Sequence, residues 1–301
     1  MDLRRARRAA DRATPRPQGR PSGRLDRRAS GRPRNRGSGR PTAVAAALAI
    51  AGSMVLATVA AVRVPAVAAR SAPEPTPHAW EPQARSPFPG GPHNRLNIWL
   101  SQGEAASQAL PREHPAVLFV GDSITQWWTT NGKASWARWF APLGAADDGV
   151  VGDTTSNLLA RIGAGQVPPE SPRVIVLMIG TNNIALGQSP QDIVRGIETV
   201  VFSLHSRMPA SRMVVLGLLP RDRPGDPYRS EAVAVNRLLS QAVRPGGSFF
   251  RTYISYLDVG PLLLERDGRF RPGVMLADRL HPAASGYALI STPILAAIDR
   301  G

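Results

Sequence analysis

Val117-Leu118-Phe119-Val120-Gly121-Asp122-Ser123-Ile124-Thr125 is the stretch from which the rest of the chain can be read. Apolar residues in unbroken succession, rather than in alternation, predict a strand covered on both faces. The run stops at Gly121-Asp122-Ser123, and a polar segment bearing Trp127 and Trp128 follows. A small hydroxyl residue at the carboxyl end of a parallel strand is where an α/β sheet exposes reactive groups. Ser123 is therefore a candidate nucleophile. Taken alone, the tripeptide reads more readily as a turn and helix start, because Asp and Ser accept bonds from free backbone N–H groups.

The pattern recurs downstream. Strands are predicted over residues 116–120, 145–151, 174–179, 213–218 and 252–257. Helices are predicted over 97–109, from Thr154-Thr155 through Ile162, from Ser189 to about Met208, and over 231–243 and 285–298; Trp136, Trp139 and Phe140 also fall at helical spacing and read as core. Ser189-Pro190-Gln191-Asp192 starts a helix well. It supplies a Ser cap, then Pro where a missing N–H costs nothing, then an acid in the first turn. Strand–helix alternation implies an α/β fold, a parallel sheet with helices on both faces.

The N-terminal third is different. Residues 1–40 hold 14 Arg and three Asp, a net of +11, whereas residues 70–301 hold 22 Lys+Arg and 19 Asp+Glu, a net of +3. The formal charge of +15 thus belongs to the tail, and no nucleic acid is expected on the folded domain. The tail has too few large apolar residues to bury a core and is expected to be disordered. Residues 43–62 carry no charge, and at ~1.5 Å per residue this span matches the ~30 Å of a bilayer core. Arginines precede it, an arrangement that holds an N-terminus inside. Two readings stay open for segment 41–63: a signal peptide cut near Ala66-Val67-Ala68, or an uncleaved membrane anchor. Either puts the following residues outside the cytoplasm, secreted or tethered. Residues 64–93 are rich in proline and read as a linker, which leaves 94–301 as one globular α/β domain. The absence of cysteine excludes disulfides, a Cys nucleophile and thiolate metal sites.

Three strand ends carry polar clusters: Gly121-Asp122-Ser123, Gly152-Asp153-Thr154-Thr155 and Gly180-Thr181-Asn182-Asn183. Asp278-Arg279-Leu280-His281 follows near the C-terminus. Acyl transfer needs a nucleophile, a base, a group that orients the base, and donors for a developing oxyanion. The set supplies each: Ser123, His281 and Asp278 in that order, with the Ser123 N–H, the Gly152 N–H and the Asn182 side-chain amide as donors. Adjacent Trp127 and Trp128 point different ways on a helix. One is assigned to the core and Trp127 to the substrate pocket, together with Asn183. Each block alone has a structural explanation as a turn or cap; their joint occurrence at successive strand ends is what carries weight.

In these blocks the chain resembles the SGNH (GDSL-type) hydrolases. Gly121-Asp122-Ser123, Gly152, Gly180-x-Asn182 and Asp278-x-x-His281 match the four signatures of that family. The platelet-activating-factor acetylhydrolase catalytic-subunit branch is similar over 117–125, 152–155, 174–183 and Leu216-Gly217-Leu218-Leu219-Pro220-Arg221. The resemblance implies a three-layer α/β/α flavodoxin-like sandwich and a metal-free serine esterase without cofactor. One departure stands out: Ala160 occupies a position where that branch often carries Trp, so the substrate does not carry over. No Gly-x-Ser-x-Gly elbow, His-Glu-x-x-His zinc motif or Gly-rich phosphate loop occurs in the sequence. The expected activity is hydrolysis of short acyl esters, acetyl first, on an extracytoplasmic carbohydrate or lipid. The alternatives are a non-catalytic surface-binding module on the same fold and a lysophospholipase- or thioesterase-type acyl hydrolase. The loop 221–229, with three Arg and two Asp, is expected to rim the cleft.

Overall fold

The computed structural model describes residues 78–83, 115–167 and 172–300. The Arg-rich tail, the apolar segment 41–63 and the predicted helix 97–109 lie outside these described residues. Among the described residues no helix is long and apolar enough to cross a membrane.

Strand β1 (Val117–Gly121) leads through the short helix α1 (Ser123–Gln126) and α2 (Lys133–Ser135) into β2 (Ala145–Gly149). Helix α3 (Thr155–Gly163), β3 (Val174–Met178), α4 (Thr181–Ala185) and α5 (Pro190–Arg207) follow. The chain closes with β4 (Arg212–Leu216), α6 (Pro227–Val243), β5 (Ile254–Leu257) and α7 (Ala284–Asp299). The five strands are all parallel in the order β2-β1-β3-β4-β5, the doubly wound order of flavodoxin-like folds.

Successive strand residues serve opposite faces. Leu118, Val120, Ile175, Leu177, Met213 and Val215 pack with Leu158 and Ile162 of α3, Ile193, Ile197 and Val200 of α5 and Val235 and Leu239 of α6. Val117, Phe119, Val174, Val176, Val214 and Leu216 pack with Ile124, Trp128, Phe140 and Tyr287, Ile290 and Ile294 of α7. Both layers exclude water from β1, and burying each such side chain contributes about 1.5–3 kcal/mol. This is why the strand reads as an unbroken apolar run.

The elements differ from expectation in a few places. β2 stops at Gly149 because residues 150–153 turn, with the Asp153 N–H donating to the Val150 carbonyl at 3.1 Å. Trp136–Phe140 forms a π-helical turn in which Phe140 is fully buried while Trp136 and Trp139 are half-buried. Residues 78–83, read as linker, are instead packed on the domain: Ala79 is fully buried and its carbonyl is bonded by Thr155. The folded domain therefore includes residues ahead of 94. Ser189 caps α5 by accepting from the Asp192 N–H at 3.2 Å, with Pro190 in the first turn.

Candidate active site

Ser123 is the first residue of α1, immediately beyond the carboxyl end of β1. Asp122 caps this helix, its Oδ1 accepting from the Ile124 N–H at 2.9 Å. β1 lies between β2 and β3, so Ser123 stands where the order of winding reverses and crevices form in such sheets. Tyr287 of α7 donates its hydroxyl to the Ile124 carbonyl at 2.8 Å and fixes α1 from below.

His281 comes from the loop ahead of α7. Its Nε2 is 2.8 Å from Ser123 Oγ, and its Nδ1 is 2.7 Å from Asp278 Oδ2. Asp278 Oδ1 accepts from the Leu280 and His281 N–H groups at 2.9 and 3.0 Å. One carboxylate thus shapes the turn with one oxygen and orients the ring with the other. Burial would raise the Asp278 carboxyl, but these bonds to His281 and Leu280 outweigh it and hold it below the ordinary value of 3.8. With Asp278 ionised, the bonding assigns the ring proton to Nδ1 and leaves the Nε2 lone pair for the Ser123 hydroxyl. This geometry can transfer a proton from serine to histidine. Trp127 lies over the His281 ring, with centroids 3.9 Å apart, while Trp128 is 1 % exposed in the core among Phe119, Phe140 and Tyr287. Trp128 is the member of the pair that belongs to the core, and the contact that Trp127 makes is with the imidazole.

The expected oxyanion donors Gly152 and Asn182 stand in the segments that follow β2 and β3. Gly152 has φ +75, a left-handed conformation that favours glycine at this tight turn. Asn182, the second residue of α4, donates one hydrogen of its amide to the Asp153 carbonyl at 2.9 Å, which fixes the orientation of the other. Asn183 does not face a pocket, contrary to its assignment to substrate. It is fully buried, its Oδ1 accepts from the Thr155 N–H at 3.1 Å, and its Nδ2 donates to Thr155 Oγ1 at 2.8 Å and to Gln188 Oε1 at 2.6 Å. It joins the start of α3 to the start of α4.

The sequence reading missed the buried guanidinium of Arg161, which binds Asp153 next to Gly152. Arg161 Nε lies 2.8 Å from Asp153 Oδ2, Nη1 donates to both Asp148 oxygens at 3.2 and 3.1 Å, and Nη2 donates to the Asp148 carbonyl at 3.1 Å. All three side chains are fully buried. Burial alone would lower the Arg161 pKa, but the two carboxylates outweigh it and raise it. Burial pushes the Asp148 carboxyl up to about 6 against the pull of Arg161. Burial likewise carries Asp122 up to about 7 and Asp147 up to about 8. The only sequence signal for the clamp is Asp148 and Asp153 set close ahead of a helical Arg.

The loop 221–229 is not simply a rim. Arg221 and Arg229 are buried. Arg221 Nη1 donates to the Thr181 carbonyl at 2.9 Å, and Arg229 donates to the carbonyls of Arg221 and Asp222 at 2.8 Å each. The Asp222 N–H then donates to the Arg279 carbonyl at 2.9 Å. The loop thereby braces both the Asn182 helix and the His281 turn. A depression of about 250 Å³, lined by Phe270, Met275, Leu276 and Arg279 among others, adjoins that turn. A larger one of about 480 Å³ between α5 and α6 contains none of these site residues.

A parallel doubly wound sheet with a Ser–His–Asp relay at its carboxyl edge defines a class of acyl hydrolase, and the comparisons agree. The profile of the GDSL-like lipase/acylhydrolase family matches residues 119–289, and the chain belongs to that family. It is similar to platelet-activating factor acetylhydrolase IB subunit alpha2 of Rattus norvegicus, 33% identical over 196 residues, covering 65% of this chain and 81% of that protein. Subunit alpha1 of Bos taurus is 33% identical over 202 residues, covering 66% and 80%. Among solved structures, a GDSL-like lipase from Bacteroides thetaiotaomicron superposes with a TM-score of 0.53 at 18% identity, covering 68% of this chain and 97% of that one. The latter likeness shows the fold alone.

Proposed function

We propose that this protein is a metal-free serine esterase that removes short acyl groups, acetyl first, from a carbohydrate or lipid outside the cytoplasm. The observation that carries the reading is the continuous relay Ser123 Oγ to His281 Nε2 at 2.8 Å and His281 Nδ1 to Asp278 Oδ2 at 2.7 Å. Ser123 attacks the ester carbonyl while His281 takes its proton. The Ser123 N–H, the Gly152 N–H and the Asn182 amide receive the developing oxyanion. His281 returns the proton to the leaving alcohol, and the acyl-enzyme forms. His281 then takes a proton from water, whose oxygen adds to the acyl carbonyl; the acid leaves and His281 returns the proton to Ser123 Oγ. The relatives' printed name, an acetylhydrolase, supports acetyl as the first acyl group to test. The extracytoplasmic site rests on the basic tail and uncharged span 43–62, which would also supply a membrane contact if uncleaved.

The test is hydrolysis of p-nitrophenyl esters of increasing acyl length by the full chain, beside Ser123→Ala. Activity that peaks at acetate and vanishes in the variant is the expected result. A peak at long chains would replace the short-acyl reading with a lipase- or thioesterase-type one. Activity that survives Ser123→Ala would remove Ser123 from the mechanism, and a folded but inert chain would return the domain to a binding role.

A further inference from the structure

Residues 78–83 are joined to the start of α3 by a set of bonds with no role in the chemistry above. The Ala79 carbonyl accepts from Thr155 Oγ1 at 2.6 Å, and the His78 carbonyl accepts from Ser156 Oγ at 2.9 Å. The Gln83 N–H donates to the Ser156 carbonyl at 3.0 Å, and the Gln83 carbonyl accepts from Asn157 Nδ2 at 3.0 Å. Trp80 stacks on His78 with centroids 4.5 Å apart and lies under the Arg195 guanidinium at 3.8 Å. Helix α5 leaves room for the segment at Gly196, where a Cβ would stand 2.6 Å from both the Ala79 carbonyl oxygen and Thr155 Oγ1. Such close fitting against both α3 and α5 marks a built component of the domain.

The same bonds reach the donor side of the site. Thr155 has one hydroxyl proton, and it is given to Ala79; the hydroxyl lone pairs are thereby turned to accept from Asn183 Nδ2 at 2.8 Å. Asn183 returns a bond from its Oδ1 to the Thr155 N–H at 3.1 Å. This pair sets the first turn of α3 against the first turn of α4. Gly152 lies just ahead of the one, and Asn182 is the neighbour of Asn183 in the other. Without the segment, the Thr155 hydroxyl would be free to rotate away from Asn183, and the link between the two loops would weaken.

We propose that residues 78–83 are a positioning strap that holds the Gly152 loop in register with the Asn182 loop. A segment well ahead of Ser123 in the chain would in this way set the alignment of the oxyanion donors. The kinetic consequence rests on the serine-esterase reading; the alignment itself does not.

The experiment uses the full chain with residues 78–83 replaced by a Gly-Ser segment of equal length, and separately Thr155→Val with Thr155→Ser as the conservative rescue. Active sites are counted with a fluorophosphonate, p-nitrophenyl acetate gives kcat and KM, and amide hydrogen exchange is followed at residues 152–155 and 181–184. Misplacing a donor by a fraction of an ångström should lower kcat about tenfold or more while KM stays within about twofold. Thr155→Ser should recover most of that loss, and exchange in both loops should quicken together. If the replaced chain keeps its kcat and its exchange rates and loses only melting temperature, the strap merely stabilises and the proposal is overturned. If the replaced chain does not fold, the Thr155→Val and Thr155→Ser pair decides by the same readouts. A wild-type chain that cleaves no ester would overturn the esterase reading, and hydrogen exchange would then decide the strap alone.

Discussion

Arg161→Leu should be among the most damaging single substitutions in the domain, although Arg161 is fully buried and is not part of the Ser123–His281–Asp278 relay. Its guanidinium makes four hydrogen bonds to Asp148 and Asp153, and all three side chains are fully buried. Removing the cation takes the Arg161 counter-charge away from two buried carboxyls. Breaking a buried ion pair from one side costs about 3–5 kcal/mol. For a domain of this size each kcal/mol is worth ~2–4 °C, so the melting temperature should fall by roughly 6–20 °C. The loss also carries a pH signature. Asp148 already stands at about 6 with Arg161 beside it, and without Arg161 it rises further. A raised carboxyl pKa means the folded state holds a proton that the unfolded chain releases above about pH 4. That contribution is intact at low pH and is lost as pH rises through the folded pKa. The deficit of the variant should therefore be smallest near pH 5 and grow toward pH 8. Calorimetry at both pH values reads it directly. Adding Asp148→Asn and Asp153→Asn to Arg161→Leu should recover much of the stability, because no lone charge is left behind. A single variant within about 2 °C of wild type at pH 8, with no change of slope, would refute the reasoning.

Two further outcomes follow from the same geometry. Asn182→Ala should lower kcat by ~10²–10³ with a smaller change in KM, as loss of one oxyanion donor does; a preserved kcat in ester assays would remove Asn182 from that role. Asp122 and Asp147, raised by burial to about 7 and about 8, should make the wild-type domain lose stability as pH rises from 5 to 8.5. Asp147→Asn should flatten that slope in urea titrations, since one oxygen of Asp147 is buried without a partner and the carboxyl gains little from ionising.

Much of the site was legible because its residues are recruited by local rules. Ser123, Gly152 and Asn182 stand two, three and four residues past the ends of β1, β2 and β3, and strand ends are visible as places where apolar runs stop. Asp278 and His281 are three residues apart, so one turn brings them together. The buried polar residues were not legible. Arg221 and Arg229 read as charges on the rim of the cleft because sequence shows charge but not burial, and the hold of Arg161 on Asp148 and Asp153 went unseen for the same reason. Asn183 reads as a pocket residue for the same reason: its partners, Thr155 and Gln188, become neighbours only when α3 and α4 are packed side by side. The strap was hidden by composition. Prolines around residues 78–83 suggest a linker, but a short extended segment can be fixed by carbonyl and amide bonds that depend little on its side chains.

The sequence by itself determined the parallel α/β architecture, the family and the order of the four blocks, because hydrophobic period and strand-end chemistry are local properties of the chain. Only the tertiary structure decided which polar groups are dry, which cation holds Asp148 and Asp153, and which of the two tryptophans meets His281. It also decided that residues 78–83 are bonded to the start of α3. Those outcomes depend on the distances between segments far apart in sequence, and burial, pairing and proton affinity all follow from such distances.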